Sequence, residues 1–172
     1  MKHGWAIAVL LMCAGCAQAG GETGSAIIHG TAKDSTMSGT ATLTETPRGL
    51  RVVVKLANLP PGDHGLHIHD TGSCAEAGKA AGGHYNPDGV KHGFLPKDGF
   101  SGAHAGDLGN ITIAHDGTGT LAVTIPDLHL TKGARTVAGR AVIVHEQVDD
   151  FGQPTGNAGG RIACGVIEVA KN

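Results

Sequence analysis

The stretch SGTATLTETPRGLRVVVKLANL, Ser38 to Leu59, decides the fold. Two segments in it, Ser38–Thr46 and Leu50–Leu59, are alternating or β-branched, and the turn residues of Pro47-Arg48-Gly49 separate them. Side chains of a strand point alternately to its two faces, so a period of two reads as a half-buried β-strand. The same signature recurs outward at Ser25–Lys33, Gly65–His69, Asn110–Ala114, Thr118–Ile125, Ala138–Val144 and Ile162–Val169. No segment shows a convincing helical period. Short strands joined by turns predict an all-β domain, a sandwich or Greek-key barrel.

Composition points the same way. Aromatics are only 3% of the chain and glycines number 29, so the core has to be built from Val, Ile, Leu and Ala between many sharp turns. Residues 1–19 combine Lys2, an apolar run from Ala6 to Met12 and the small residues Ala17-Gln18-Ala19, the pattern of a cleaved signal peptide. The run is too short for a transmembrane span, which needs roughly 20 apolar residues. Ala14-Gly15-Cys16 offers a second reading, a lipoprotein-type signal cut before Cys16 that leaves a lipid anchor there, although Cys13 stands where that signal usually has an aliphatic residue. Residues 20–172 form the mature part, about 150 residues and one domain. The formal net charge is −2 and no basic run interleaves with aromatics, which argues against nucleic acid. An exported chain that keeps Cys74 and Cys164 would join them in an oxidising compartment, stabilising the fold by about 4 kcal/mol on the chain-entropy model.

Two stretches break the strand rhythm, Asp70 to Leu108 and Glu146 to Arg161, both rich in Gly, Pro, Asp and Asn. A structureless segment as long as the first is uncommon in a compact domain unless it is functional or held by something. Eleven histidines are many for this length, and all but His3, His29, His115 and His129 sit at the edges of these loops. His67 and His69 are two apart on a strand and project from the same face, where two ligands can share one metal. His84, His92, His104 and Asp107 make a His3Asp set that fills a tetrahedral shell, which suits a closed structural zinc. An all-imidazole site would suit zinc, copper, iron or nickel, and residue types alone do not choose among them.

Several motifs together carry a resemblance. Gly65-Leu66-His67-Ile68-His69-Asp70-Thr71-Gly72-Ser73 is similar to the first signature of copper/zinc superoxide dismutases, and Gly156-Asn157-Ala158-Gly159-Gly160-Arg161-Ile162-Ala163-Cys164-Gly165-Val166-Ile167 to the second. Gly83-His84-Tyr85-Asn86-Pro87, Lys91-His92-Gly93 and His104-Ala105-Gly106-Asp107-Leu108-Gly109-Asn110 resemble the zinc-loop landmarks of that family, in its order. The likeness covers roughly Ser25 to Ala170 and is to the exported bacterial type. It implies an eight-stranded antiparallel Greek-key sandwich or barrel with two long functional loops. It also implies one copper, on His67, His69, His84 and His145, and one zinc, on His84, His92, His104 and Asp107, bridged through His84. The implied activity is dismutation of superoxide to oxygen and hydrogen peroxide, in the periplasm.

The same resemblance makes Arg161 an anion-binding catalytic residue beside copper, with His84 as the other catalytic residue. Asp149 becomes a carboxylate that hydrogen-bonds a copper histidine and a zinc histidine, with Asp150 as its adjacent alternative. His64 takes a structural hydrogen-bonding role, and His29, His115 and His129 match no ligand position. The loop from Glu146 to Arg161 is shorter than in the eukaryotic enzymes and lacks their lysines, so charge steering would fall to Lys79, Lys91 or Lys97. The eukaryotic dimer contact does not carry over, which leaves monomer or homodimer open. The competing reading is a copper-handling protein on the same fold, although all the copper ligands and Arg161 are present. A zinc hydrolase would need an open zinc position that the His3Asp set does not leave.

Overall fold

The computed structural model describes residues 21–171. The expected signal segment, with Cys16, lies outside the described residues. In chain order the strands are β1 Thr23–Gly30, β2 Ser38–Thr46, β3 Gly49–Ala57, β4 Gly62–His69, β5 Asp107–Ile113, β6 Gly119–Ile125, β7 Ala141–His145, β8 Arg161–Val166 and β9 Glu168–Val169. A 3-10 turn at Lys79–Ala81 and a four-residue helix, α1 Leu95–Asp98, lie in the loop between β4 and β5.

The sheet runs β2-β3-β6-β5-β4-β7-β8-β1, and β1 pairs back onto β2, so eight antiparallel strands close into a barrel. The connections from β3 to β4 and from β6 to β7 each skip neighbouring strands, which is the Greek-key pattern. β9 pairs with β1 as one extra strand. It arises because Ile167 leaves the ladder: its N–H donates to the Arg140 carbonyl and its carbonyl accepts from Gly139. The segment Ile162–Val169 therefore divides where the sequence pattern reads one strand. β5 begins at Asp107, inside the stretch read as the first loop, with Asp107 opposite His67, and β4 begins three residues earlier than its alternation predicts, at Gly62.

Strand parity places the site. In β4, Leu66 and Ile68 point into the barrel core, which puts His67 and His69 on the outer face. In β7, Val142 and Val144 join the same core, whereas Ala141 and Ile143 pack outside the barrel with Ala81 and Cys164. His145 continues that outer series. These outward residues are nevertheless buried, because the two long loops fold over this face of the barrel. The first loop runs back along β4: Tyr85 N–H donates to the Ile68 carbonyl, and Ile68 N–H donates to Gly106. Gly106 has no substitute here, since a Cβ would lie 2.1 Å from the Ile68 carbonyl oxygen.

The Cys74–Cys164 disulfide fastens the first loop to β8 across a sequence separation of 90 residues, with Cα atoms 5.7 Å apart. Replacing both cysteines with serine should lower the stability of the metal-free protein by about 4 kcal/mol, read from urea unfolding. An unchanged midpoint would contradict that role.

Candidate metal centre

Two groups of buried side chains gather on the covered face, His67, His69, His84 and His145 in one and His84, His92, His104 and Asp107 in the other. Within each group one donor atom per residue lies within 4.8 Å of all the others. His67 and His69 come from β4 and His145 from the end of β7, so the barrel supplies three of the first four. The remaining ligand positions come from the first loop, with Asp107 opening β5. His84 stands in both groups.

Hydrogen bonds to the far nitrogens aim the rings. His67 Nε2–H donates to Asp149 Oδ2 at 2.8 Å, and His92 Nε2–H donates to Asp149 Oδ1 at 2.9 Å. Each ring is left with Nδ1 facing its group. His69 Nδ1–H donates to the Gly82 carbonyl at 3.0 Å and His145 Nδ1–H to the Gly159 carbonyl at 3.4 Å, which turns their Nε2 atoms to within 3.3 Å of each other. His84 Nδ1 lies 2.8 Å from Asp107 Oδ1, so its Nε2 serves the other group. Partners of this kind fix the tautomer and orientation of a metal-ligating imidazole.

The donor atoms themselves test the fit. Nδ1 of His67, His92 and His104 are buried and make no hydrogen bond among the described residues. His92 and His104 approach the Asp107 carboxylate, at 2.8 and 3.2 Å, but not in hydrogen-bonding geometry. Buried polar atoms are rarely left without partners, and these face the first group from His67 and the second from His92 and His104, as ligands to a metal ion in each would. Four imidazoles in the first group suit copper or zinc, and the His3Asp set suits tetrahedral zinc.

Burial and the two carboxylates set the protonation of the ligands. Burial pushes His69 down to about 2, His84 to about 4 and His145 to about 3, which keeps them neutral donors. Burial opposes charge on His92 as well, but the carboxylates of Asp107 and Asp149 on its two sides raise it to about 9. Burial alone would raise the two acids, yet the facing histidines hold both well below the usual carboxylate range. Asp107 Oδ2 also accepts the N–H groups of Gly93 and His104, at 3.1 and 2.9 Å.

Arg161, half-buried at the start of β8, donates to the carbonyls of Gly78 and Gly82. Gly82 is the carbonyl that also orients His69, so the arginine and that ring share one anchor. Of the two adjacent acids, Asp149 joins the rings, while the exposed Asp150 holds a turn through Gly152 N–H and Asn157. His64 faces two carbonyls, of His145 and Pro60, and belongs to neither group. His29 and His115 are exposed, and His129 lies 3.5 Å from Glu45 and belongs to neither group. Lys79, Lys91 and Lys97 are exposed.

Sequence reasoning gave no role to three further residues. The Asn110 side chain clasps the Asp149 backbone through both its carbonyl oxygen and its amide, at 2.7 and 2.9 Å. Gln153 does the same for His92, at 3.2 and 2.9 Å. Gly156, at φ 76°, lies so close that a Cβ would sit 1.8 Å from Asp149 Oδ1. Asn110 closes one of the quoted motifs, but no spacing signal marks Gln153.

Residues 37–167 match the family model of copper/zinc superoxide dismutase. Among solved structures, the crystal structure of a protein described as the clock protein EA4 is similar, with 31% sequence identity, a TM-score of 0.77 and coverage of 99% of this chain and 100% of that one.

The depressed histidines set the pH response of the metal-free protein. Below about pH 6.5 the unfolded chain protonates these rings, whereas folded His69, His84 and His145 stay neutral until about pH 4 or lower. The unfolded state then binds more protons, so stability falls as pH falls through this window. His92, raised to about 9, works in the opposite direction as the unfolded ring titrates near pH 6.5, but one ring is outweighed by three. The urea midpoint should be lower at about pH 5 than at about pH 7; equal midpoints would contradict the assignment.

Proposed function

Because the chain belongs to the copper/zinc superoxide dismutase family, we propose that it dismutates superoxide, with copper held by His67, His69, His84 and His145 and zinc by His84, His92, His104 and Asp107. The observation that carries this reading is the membership of His84 in both groups, one ring nitrogen toward each. Copper, when bound, supplies one-electron exchange that oxidises one superoxide to oxygen and reduces a second to hydrogen peroxide with two protons, while zinc keeps one oxidation state.

The chain's own residues do the rest. Arg161 presents a charged guanidinium at the edge of the first group, where it attracts an anion and donates hydrogen bonds to it at any working pH. Its anchoring on Gly78 and Gly82 sets that position before substrate arrives. His84 Nε2 is the nitrogen able to hold a proton beside a bound anion, with Asp107 steadying the ring from the Nδ1 side. Asp149 keeps His67 and His92 in register, so the two sites hold a common frame. A disulfide suits an oxidising compartment, which supports export to the periplasm as part of the same reading.

The test is superoxide decay, followed by rapid mixing, with protein carrying copper and zinc. Activity should vanish with copper-selective chelation and return with copper alone. Arg161→Gln should lower kcat/KM by about tenfold or more with copper content unchanged. Copper binding without superoxide turnover would sink the proposal and leave a copper-handling protein.

A further inference from the structure

Arg140 lies just before β7 and belongs to neither metal group. Three segments that carry copper-site histidines nevertheless meet at its side chain. His69 and His84 pair as an antiparallel bridge, flanked by Tyr85 N–H donating to Ile68 and Asp70 N–H donating to Gly83, at 2.9 and 3.0 Å. On its other side His69 pairs with Ala141, the residue after Arg140, and that strand ends at His145.

The guanidinium spans this junction. Nη1 donates to both the carbonyl and the carboxylate of Asp70, each at 2.6 Å. Cζ lies 3.5 Å from the centroid of the Tyr85 ring, and Nε donates to the Thr136 carbonyl at 2.8 Å. Thr136 N–H in turn donates to the Tyr85 hydroxyl at 3.1 Å, which closes a ring of contacts around the arginine. The backbone is equally tight: a Cβ on Gly72 would lie 2.2 Å from the Gly139 carbonyl oxygen. Asp70 and Tyr85 each follow directly after a histidine of the first group.

We infer that Arg140 is a positioning residue for the copper site, a brace that fixes the spacing of His69, His84 and His145 by clamping Asp70 and Tyr85 against the start of β7. This rests on the reading that those histidines bind copper. The Asp70 carboxylate is largely exposed, so the ion pair itself holds little. The clamp lies in the fork that reaches a backbone carbonyl on one side and the face of a buried ring on the other. Lysine keeps the charge but has neither the fork nor the planar stacking surface.

The test compares wild-type protein with Arg140→Gln and Arg140→Lys, each loaded with copper and zinc and shown folded by circular dichroism. The readouts are the Cu(II) electron paramagnetic resonance parameters and copper affinity by chelator competition. Arg140→Gln should alter the g and hyperfine values and weaken copper by about tenfold or more. Arg140→Lys should shift both in the same direction by less, and it carries the test where Arg140→Gln does not fold. Wild-type spectra and affinity in both variants, even with a lowered melting temperature, would overturn the brace and leave Arg140 a purely stabilising residue. Wild-type protein without a copper signal from an all-nitrogen site would overturn instead the reading on which the brace rests.

Discussion

Six imidazoles and two carboxylates lie buried together on the outer face of a β-barrel, and the rest of the molecule is arranged around the cost of placing them there. Asp107 faces three rings and Asp149 bonds two, so each buried carboxylate has cationic or hydrogen-bonding partners. Such groups are destabilising when unpaired and depend on near-complete satisfaction. Nδ1 of His67, His92 and His104 is left without a hydrogen-bond partner among the described residues. A metal ion at each group would complete the satisfaction that the protein atoms begin.

That requirement explains why two long irregular loops are ordered. Neither has much regular structure of its own. The first is held by the Tyr85 and Gly106 contacts to β4, by the disulfide, and by ring nitrogens that converge on Asp107. The second is held by Asn110 on Asp149 and by Gln153 on His92. The family's copper and zinc would therefore act as part of the fold as well as of the site, since ligand geometry and loop geometry are one set of contacts.

Strand parity made much of this legible in advance. Alternation in Ser38–Thr46 and Leu50–Leu59 marks two strands of an all-β domain, and the spacing of His67 and His69 puts both rings on one face. The identity of that face is less legible, because β4 and β7 are buried on both sides and their patterns do not say which is core. The break at Ile167 is hidden for the same reason: a buried isoleucine fits the strand pattern while its backbone bonds elsewhere. Gln153, Asn110 and Arg140 act through contacts to backbone or to residues dozens of positions away. No local period or motif encodes such contacts, and only the folded arrangement reveals them.

In the proposed site one imidazole, that of His84, stands between two metal positions. Anomalous diffraction at the copper and zinc absorption edges, from crystals of the doubly loaded protein, measures this directly. It should show a copper peak among His67, His69, His84 and His145 and a zinc peak among His84, His92, His104 and Asp107, with the His84 ring between them. A single peak, or two peaks that do not share His84, would contradict it.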